Sequence, residues 1–280
     1  MSKNLTTNAI AQFADVVHHE YAGEGMLRKT ARVRTGITGT TFQFQKMGKG
    51  IATQRIPQTK VVPMNIAHTN AVATIVNWNA PEFTDIFDQQ KVNYDERREL
   101  GHTIAGAIGR REDQLIIDAL DAASSSLTVD NDVGGTDTGM NTAKLRRAKG
   151  LLDNEGVPGK DRWAALSTRA LEDLLGDDDA DTFDKNVIKP LFDGDINRWL
   201  GFNFVFIETR AEGGLTIDGS DDRQIFCYHR SAIGLAIGID FRVEVNYIAD
   251  MTSWLANGLY AAGAVAIDAD GIVEITSREG

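Results

Sequence analysis

The densest set of groups that could do chemistry is acidic. Glu172, Asp173, Asp177, Asp178, Asp179, Asp181 and Asp184 fall in one short run. Hard cations take several carboxylate oxygens, so the run is the best candidate for metal-assisted hydrolysis. It lacks the alternating ligand positions and central glycine of a calcium-binding loop, and it reads first as a solvated loop or a partner for basic side chains. His18-His19-Glu20 lacks the second histidine one turn on that would put two ligands on one helix face. His102 falls inside a helical pattern and reads as a packing or surface residue. Gly159-Lys160 is followed by Asp161, without the glycine and hydroxyl of a phosphate-binding loop. Cys227, the one cysteine, sits in the apolar run Ile225-Phe226-Cys227-Tyr228 and reads as a buried small hydrophobe. No arrangement supplies a nucleophile with its base, and the expectation is a protein that is not an enzyme and has no cofactor.

The charge pattern is more informative. Between Gly25 and Pro81 there is no Asp or Glu, while Arg28, Lys29, Arg32, Arg34, Lys46, Lys49, Arg55 and Lys60 all lie there. The whole chain carries −11, so the remainder is strongly acidic. A basic segment on an acidic body fits either nucleic acid or the acidic surface of a neighbouring identical subunit. No basic patch is interleaved with stacking aromatics as in single-strand binders. The start, Met1-Ser2-Lys3-Asn4, has no apolar signal region, and no stretch approaches the length that spans a bilayer, so folding in cytoplasm is expected.

The elements that must position these groups can be read in order. Residues 1–36 read as an arm, with a short helix over Ala9 to Tyr21. Residues 37–88 read as a long β-hairpin. Thr41 to Gln45 alternates with period two, Gly48-Lys49-Gly50 signals a turn, Ile51 to Ile56 resumes, and Ala71 to Trp78 is a second β-rich run. The hairpin is rich in Thr and Gln and cannot bury much apolar area alone, so it needs another surface to lie on. Residues 93–124 predict a long helix with Asn93 or Asp95 as cap. Leu100, Ile104, Ile108, Leu115 and Ala119 lie on one face, with a break near Arg111, and Arg97, Arg98, Arg110, Glu112 and Asp113 lie opposite. Thr142 to Asn154 predicts a second helix stopped by Gly156 and Pro158. A mixed α/β half follows. It has strands at Trp163–Leu166, Phe202–Ile207, Gln224–His229 and Arg242–Ile248, helices at Arg169–Leu175 and Ser231–Ile237, and closing segments at Trp254–Ile267 and Gly271–Ile275.

This order of arm, long hairpin, long helix and mixed half resembles the major capsid proteins of tailed bacteriophages, the Hong Kong ninety-seven-like capsid fold. Asp161 to Leu171 resembles the family's strand-then-helix step into its axial domain. Lys189-Pro190-Leu191 and Asn197 to Phe204 resemble its turn into a following strand. Val243-Glu244-Val245, then Trp254 to Ile275, resembles its return to the peripheral domain. The resemblance implies an α+β fold with an N-terminal arm at 1–36, an extended hairpin loop at 37–88, a peripheral domain with a spine helix at 89–139, an axial domain at 140–245, and peripheral C-terminal strands at 246–280. It also implies a subunit that assembles in the host cytoplasm, as pentamers and hexamers, into an icosahedral virion shell around double-stranded DNA. A separate scaffolding protein and a portal would be partners, and no membrane would be. Lys46, Lys49, Arg55 and Lys60 would meet a neighbour's acidic surface, with Asp177, Asp178, Asp179 and Asp181 as candidates. Arg28, Lys29, Arg32 and Arg34 would contact a neighbour or DNA. Some relatives crosslink a loop lysine to a neighbour's asparagine, and Lys46, Lys49 and Lys60 stand where that would occur. The alternatives are a cellular encapsulin-type nanocompartment shell and a metal-dependent α/β hydrolase built on the Asp177 to Asp184 run.

Overall fold

The computed structural model describes residues 25–86, 96–123, 127–177 and 198–279. The expected helix over Ala9 to Tyr21, the caps Asn93 and Asp95, His18-His19-Glu20, Lys189-Pro190-Leu191, and Asp178, Asp179, Asp181 and Asp184 lie outside these residues.

Three sheets and three helices make up the described architecture. A four-stranded sheet has the order β1 (Arg32–Arg34), β10 (Ile233–Ile248), β11 (Ser253–Ala266) and β4 (Val76–Asp85). β10, β11 and β4 run antiparallel, and β1 joins β10 in parallel. A six-stranded sheet has the order β5 (Thr128–Val129), β12 (Ile272–Arg278), β9 (Asp222–His229), β6 (Arg162–Ser167), β8 (Phe202–Ile207) and β7 (Arg198–Trp199). β2 (Thr41–Met47) and β3 (His68–Thr74) form a separate hairpin.

The long helix α1 is Glu96–Asp121. Ile104, Ile108, Ile116 and Leu120 recur at helical spacing and are buried. Ile108, Ile116 and Leu120 share one core with Leu235, Ile237, Tyr260 and Ala262 of the four-stranded sheet and Val205, Phe226 and Tyr228 of the six-stranded sheet. The opposite face of the six-stranded sheet packs on α2 (Thr142–Asn154) and α3 (Thr168–Leu175) through Leu145, Leu152, Leu174, Ile225 and Ile275. Cys227 is fully buried in this second core, and burial pushes its thiol up, away from reactivity.

The local signals behave as the residues dictate. Asn141 caps α2 by accepting from the Lys144 amide, and Ser167 caps α3 by accepting from that of Ala170. At the end of α2, Gly156 adopts φ +74°, the Gly156 amide bonds to Asp153 O, and the Val157 amide reaches Leu152 O. That is the paired closure a C′ glycine allows. The step into β8 is a two-residue hairpin at Leu200 and Gly201, both with positive φ.

Three expectations are corrected. Ser231–Ile237 is not a helix: a 3-10 turn at Arg230–Ala232 leads straight into β10. That segment is bonded on both sides, to β1 and β11, and its β-branched Ile233 and Ile237 suit a buried strand. Ile51 to Ile56 forms no strand, because nothing among the described residues pairs with it. Glu112 and Asp113 do not face solvent; they are 5% and 0% exposed. The row Ile104, Ile108, Ile116, Leu120 passes through position 112, so the break in the apolar pattern is a buried polar stretch.

The hairpin leaves the body where β3 becomes β4. Gly263 permits this: a Cβ there would lie 1.9 Å from Thr74 O, a backbone atom that cannot swing aside. Gly263→Ala should therefore destabilise the chain by about 3 kcal/mol. The check is chemical denaturation beside Gly159→Ala, whose added methyl would meet nothing within 4 Å.

Candidate assembly surfaces

The root of the hairpin is fastened to its own body. Phe44 and Ala73 pack with Ala236 in a small buried cluster. Lys46 Nζ donates to Asp268 at 2.6 Å, and Lys49 Nζ lies 3.4 Å from a Glu155 carboxylate oxygen. Beyond Met47 the chain is a tongue, residues 48–67, without strand pairing. One backbone bond, Gly48 N to Ala67 O, closes its base, and a turn with Thr59 N bonded to Ile56 O makes its tip. Pro57 and the positive φ of Gln58 suit a type II turn. Ile51, Ile56, Val61, Val62 and Met64 on the tongue are all exposed, Val61 at 89%. Isolated exposed apolar residues are ordinary; a run of them on a bare tongue marks a contact surface.

Of the expected interface cations, the structure commits several within the chain. Besides Lys46 and Lys49, Arg28 forms a two-pronged bond to Asp240 at 2.9 and 2.8 Å, with Glu112 3.6 Å away. Lys29 lies over the Trp163 ring and Arg32 over the Phe44 ring. Arg34, Arg55 and Lys60 have no bonded carboxylate among the described residues.

A buried polar knot, missed in the sequence, fixes where the arm joins the body. Asp113 accepts from the Met26 amide at 3.0 Å, the Leu27 amide at 2.8 Å and Arg210 Nη2 at 2.7 Å. Beside it, Glu112 accepts from Tyr260 Oη at 2.6 Å. Burial pushes both carboxyls up, while the amides, Arg210, Tyr260 and Arg28 pull them back. The only available signal was position 112 in the apolar row; the partners, 86 residues or more away, could not be read.

Asp177, the one described member of the expected set Asp177, Asp178, Asp179 and Asp181, accepts from the Thr142 amide at 2.6 Å. With Asp137, Arg169, Glu172, Asp173 and Arg278 it lines an open polar cavity of about 620 Å3. Among the described residues no cluster of three or more His, Cys, Asp or Glu could hold a metal ion, and no helix is long and apolar enough to cross a membrane.

Nearby, Lys144 is fully buried and donates to Thr138 O at 2.6 Å and Thr276 O at 3.0 Å, tying the 130–139 loop to β12. Burial pushes its ammonium from 10.5 down to about 8. Between those values the unfolded chain holds more protons, so stability should rise as pH goes from 8 towards 10.5. Lys144→Met should flatten that slope, which denaturant midpoints measured across this range would read.

The described residues thus combine a long helix on a two-sided β core, a projecting tongue, and an arm tied to the body by a buried polar knot. Solved structures bear the fold out over the whole chain. The capsid of Helicobacter pylori bacteriophage KHP30 is 10% identical with a TM-score of 0.77, covering 100% of this chain and 99% of that one. The head of Helicobacter pylori bacteriophage KHP40 is 11% identical, TM-score 0.76, covering 99% and 97%. The capsid of cyanophage P-SCSP1u is 17% identical, TM-score 0.73, covering 100% and 96%. No curated protein matches the chain. Residues 5–279 match the phage capsid protein family, and the chain belongs to that family. It is a structural component of a virion capsid shell.

Proposed function

We propose that this chain is the major capsid protein of a tailed phage, assembling through pentamers and hexamers into an icosahedral shell around double-stranded DNA. One observation carries the reading: the tongue exposes an apolar, acid-free surface that its own body does not cover, on a chain matched end to end by capsid folds. A run of exposed apolar residues of this kind marks a surface that a partner covers.

Lys46 and Lys49 set the angle of the tongue by holding its root. Arg55 and Lys60 are left to meet the acidic surface of the next copy, and Asp177, Asp178, Asp179 and Asp181 offer such a surface on the axial half. Each exposed pair contributes about 0–1 kcal/mol, and a shell repeats the pair at every contact. Of the arm cations, Arg28, Lys29 and Arg32 serve the fold, while Arg34 remains for a neighbour or for DNA. A separate scaffolding protein and a portal complete the assembly, which takes place in host cytoplasm.

The test is the content of native particles after nuclease treatment. Protected double-stranded DNA is the expected result. A protein cargo without nucleic acid would favour the nanocompartment shell instead.

A further inference from the structure

Four carboxylates and two guanidiniums meet where the arm crosses α1. Glu112 and Asp113 come from the helix, Asp240 from β10, Arg28 from the arm, and Glu208 and Arg210 from the chain just past β8. Arg28 bonds Asp240 at 2.9 and 2.8 Å and lies 3.6 Å from Glu112. Arg210 bonds Asp113 at 2.7 Å and Glu208 at 2.9 Å. With every carboxyl ionised, two negative charges are left uncompensated beside the core that Leu27, Ala31, Ile108 and Ile116 share.

The two helix carboxylates are not equally served. Asp113 accepts on both oxygens, from the Met26 amide, the Leu27 amide and Arg210. Glu112 accepts from Tyr260 Oη on Oε2, and its Oε1 is buried with no hydrogen-bond partner among the described residues. An ionised carboxylate buried with an unbonded oxygen is costly, and a proton cancels the charge that nothing there solvates. Among the described residues, the titratable and charged groups facing Glu112 are Asp113 beside it on α1, Asp240 of β10, Tyr260 of β11 and Arg28 of the arm. Burial pushes Glu112 up most, Asp113 and Asp240 push the same way, and Tyr260 and Arg28 oppose them. Arg28 is the one cation in that set, and both of its terminal nitrogens are turned to Asp240. Burial raises Asp113 as well, but a proton there would displace a bond from the arm or from Arg210.

The arm lies tight on the helix at this point. A Cβ on Gly25 would be 2.6 Å from Gly109 O, one turn before Asp113, so the two backbones touch with no side chain between them. We propose that Glu112 is a proton-held clasp for the arm: it carries a proton while residues 26–31 are seated on α1 and gives that proton up as they come away. A carboxyl raised in the seated form, and at its ordinary 4.5 in the released form, binds more protons when seated. Above 4.5, therefore, the arm loosens as pH rises, until Glu112 is ionised in both forms. One proton changes the seating equilibrium by at most about tenfold per pH unit. Mild acid closes the clasp and higher pH opens it, so the acidity of the medium alone retains or releases the arm. The clasp lies within one subunit and does not depend on the shell reading.

Hydrogen exchange on the whole wild-type chain tests it. The readout is protection of the Leu27 to Ala31 amides from about pH 5 to about pH 8, corrected for the intrinsic rate and referred to the amides of β6. Protection should fall by about tenfold or more as pH rises across that range. Glu112→Gln is neutral at every pH and can still accept from Tyr260, so its arm should stay protected with no slope. A flat wild-type profile overturns the proposal. A Glu112→Gln chain that keeps the wild-type slope also overturns it, because the proton then belongs to another group. If the variant does not fold, carboxyl-carbon NMR of Glu112 in the wild-type chain decides. A titration midpoint above 4.5 is expected, and one at or below 4.5 overturns the clasp.

Discussion

A chain whose residues 50–65 are replaced by a short Gly-Ser link should melt at the wild-type temperature and assemble into nothing. The tongue tip buries almost nothing against its own body, so removing it takes no apolar area out of the core. The link leaves the root intact, with Phe44, Ala73 and the Lys46–Asp268 pair in place. Shortening a loop between fixed strands changes its closure entropy by only about 1 kcal/mol, in the stabilising direction. Assembly is another matter. A specific interface buries about 800 Å2 per partner, and the 20-residue tongue is an exposed surface of the described residues that could supply much of it. Calorimetry on the subunit and light scattering under assembly conditions read the two effects separately. A melting point lowered by several degrees would show that the tongue belongs to its own subunit's core. Normal shells from the shortened chain would show that it is not the joint.

The second large effect is expected inside the subunit. Asp113→Ala should cost about 3 kcal/mol, because it leaves the buried Arg210 with the partly exposed Glu208 as its remaining carboxylate and two arm amides without an acceptor. Arg210 is 10% exposed and Asp113 1%, so water cannot substitute freely. Asp113→Asn keeps an acceptor and the volume, and should lose about half as much. Denaturant unfolding gives the totals. Hydrogen exchange gives the location: amides from Met26 to Ala31 should open before the rest of the chain in the alanine variant, since Asp113 is what pins that stretch to the helix. A loss below 1 kcal/mol would mean the knot is incidental to the fold.

What the sequence made legible follows from the range of the forces involved. The stop of α2 at Gly156 and the alternation of β2 are decided by neighbours within a few residues, and they were readable. The 231–237 segment was misread because its strand character comes from partners on both sides, about 30 residues and about 200 residues away in the chain. Glu112 and Asp113 were assigned to solvent because charged residues are rarely buried unless paired, and their pairs are Tyr260, Arg210 and the arm backbone. The charge asymmetry was visible, but its division was not. Lys46 and Asp268 are 222 residues apart, so only the structure separates cations that hold the tongue's root from Arg55 and Lys60, which remain at its tip. Of the interface candidates Asp177, Asp178, Asp179 and Asp181, Asp177 is the one among the described residues, and it accepts from the α2 amide of Thr142.

The central claim is that this chain closes with copies of itself into a shell. The most direct measurement is electron microscopy of the purified chain, with light-scattering mass on the same sample, alone, with crowding agents and with a candidate scaffolding protein. The account predicts rings of five or six subunits, sheets or closed shells. A compact monomer or dimer that stays unassembled in every condition, and binds a divalent metal tightly, would contradict it.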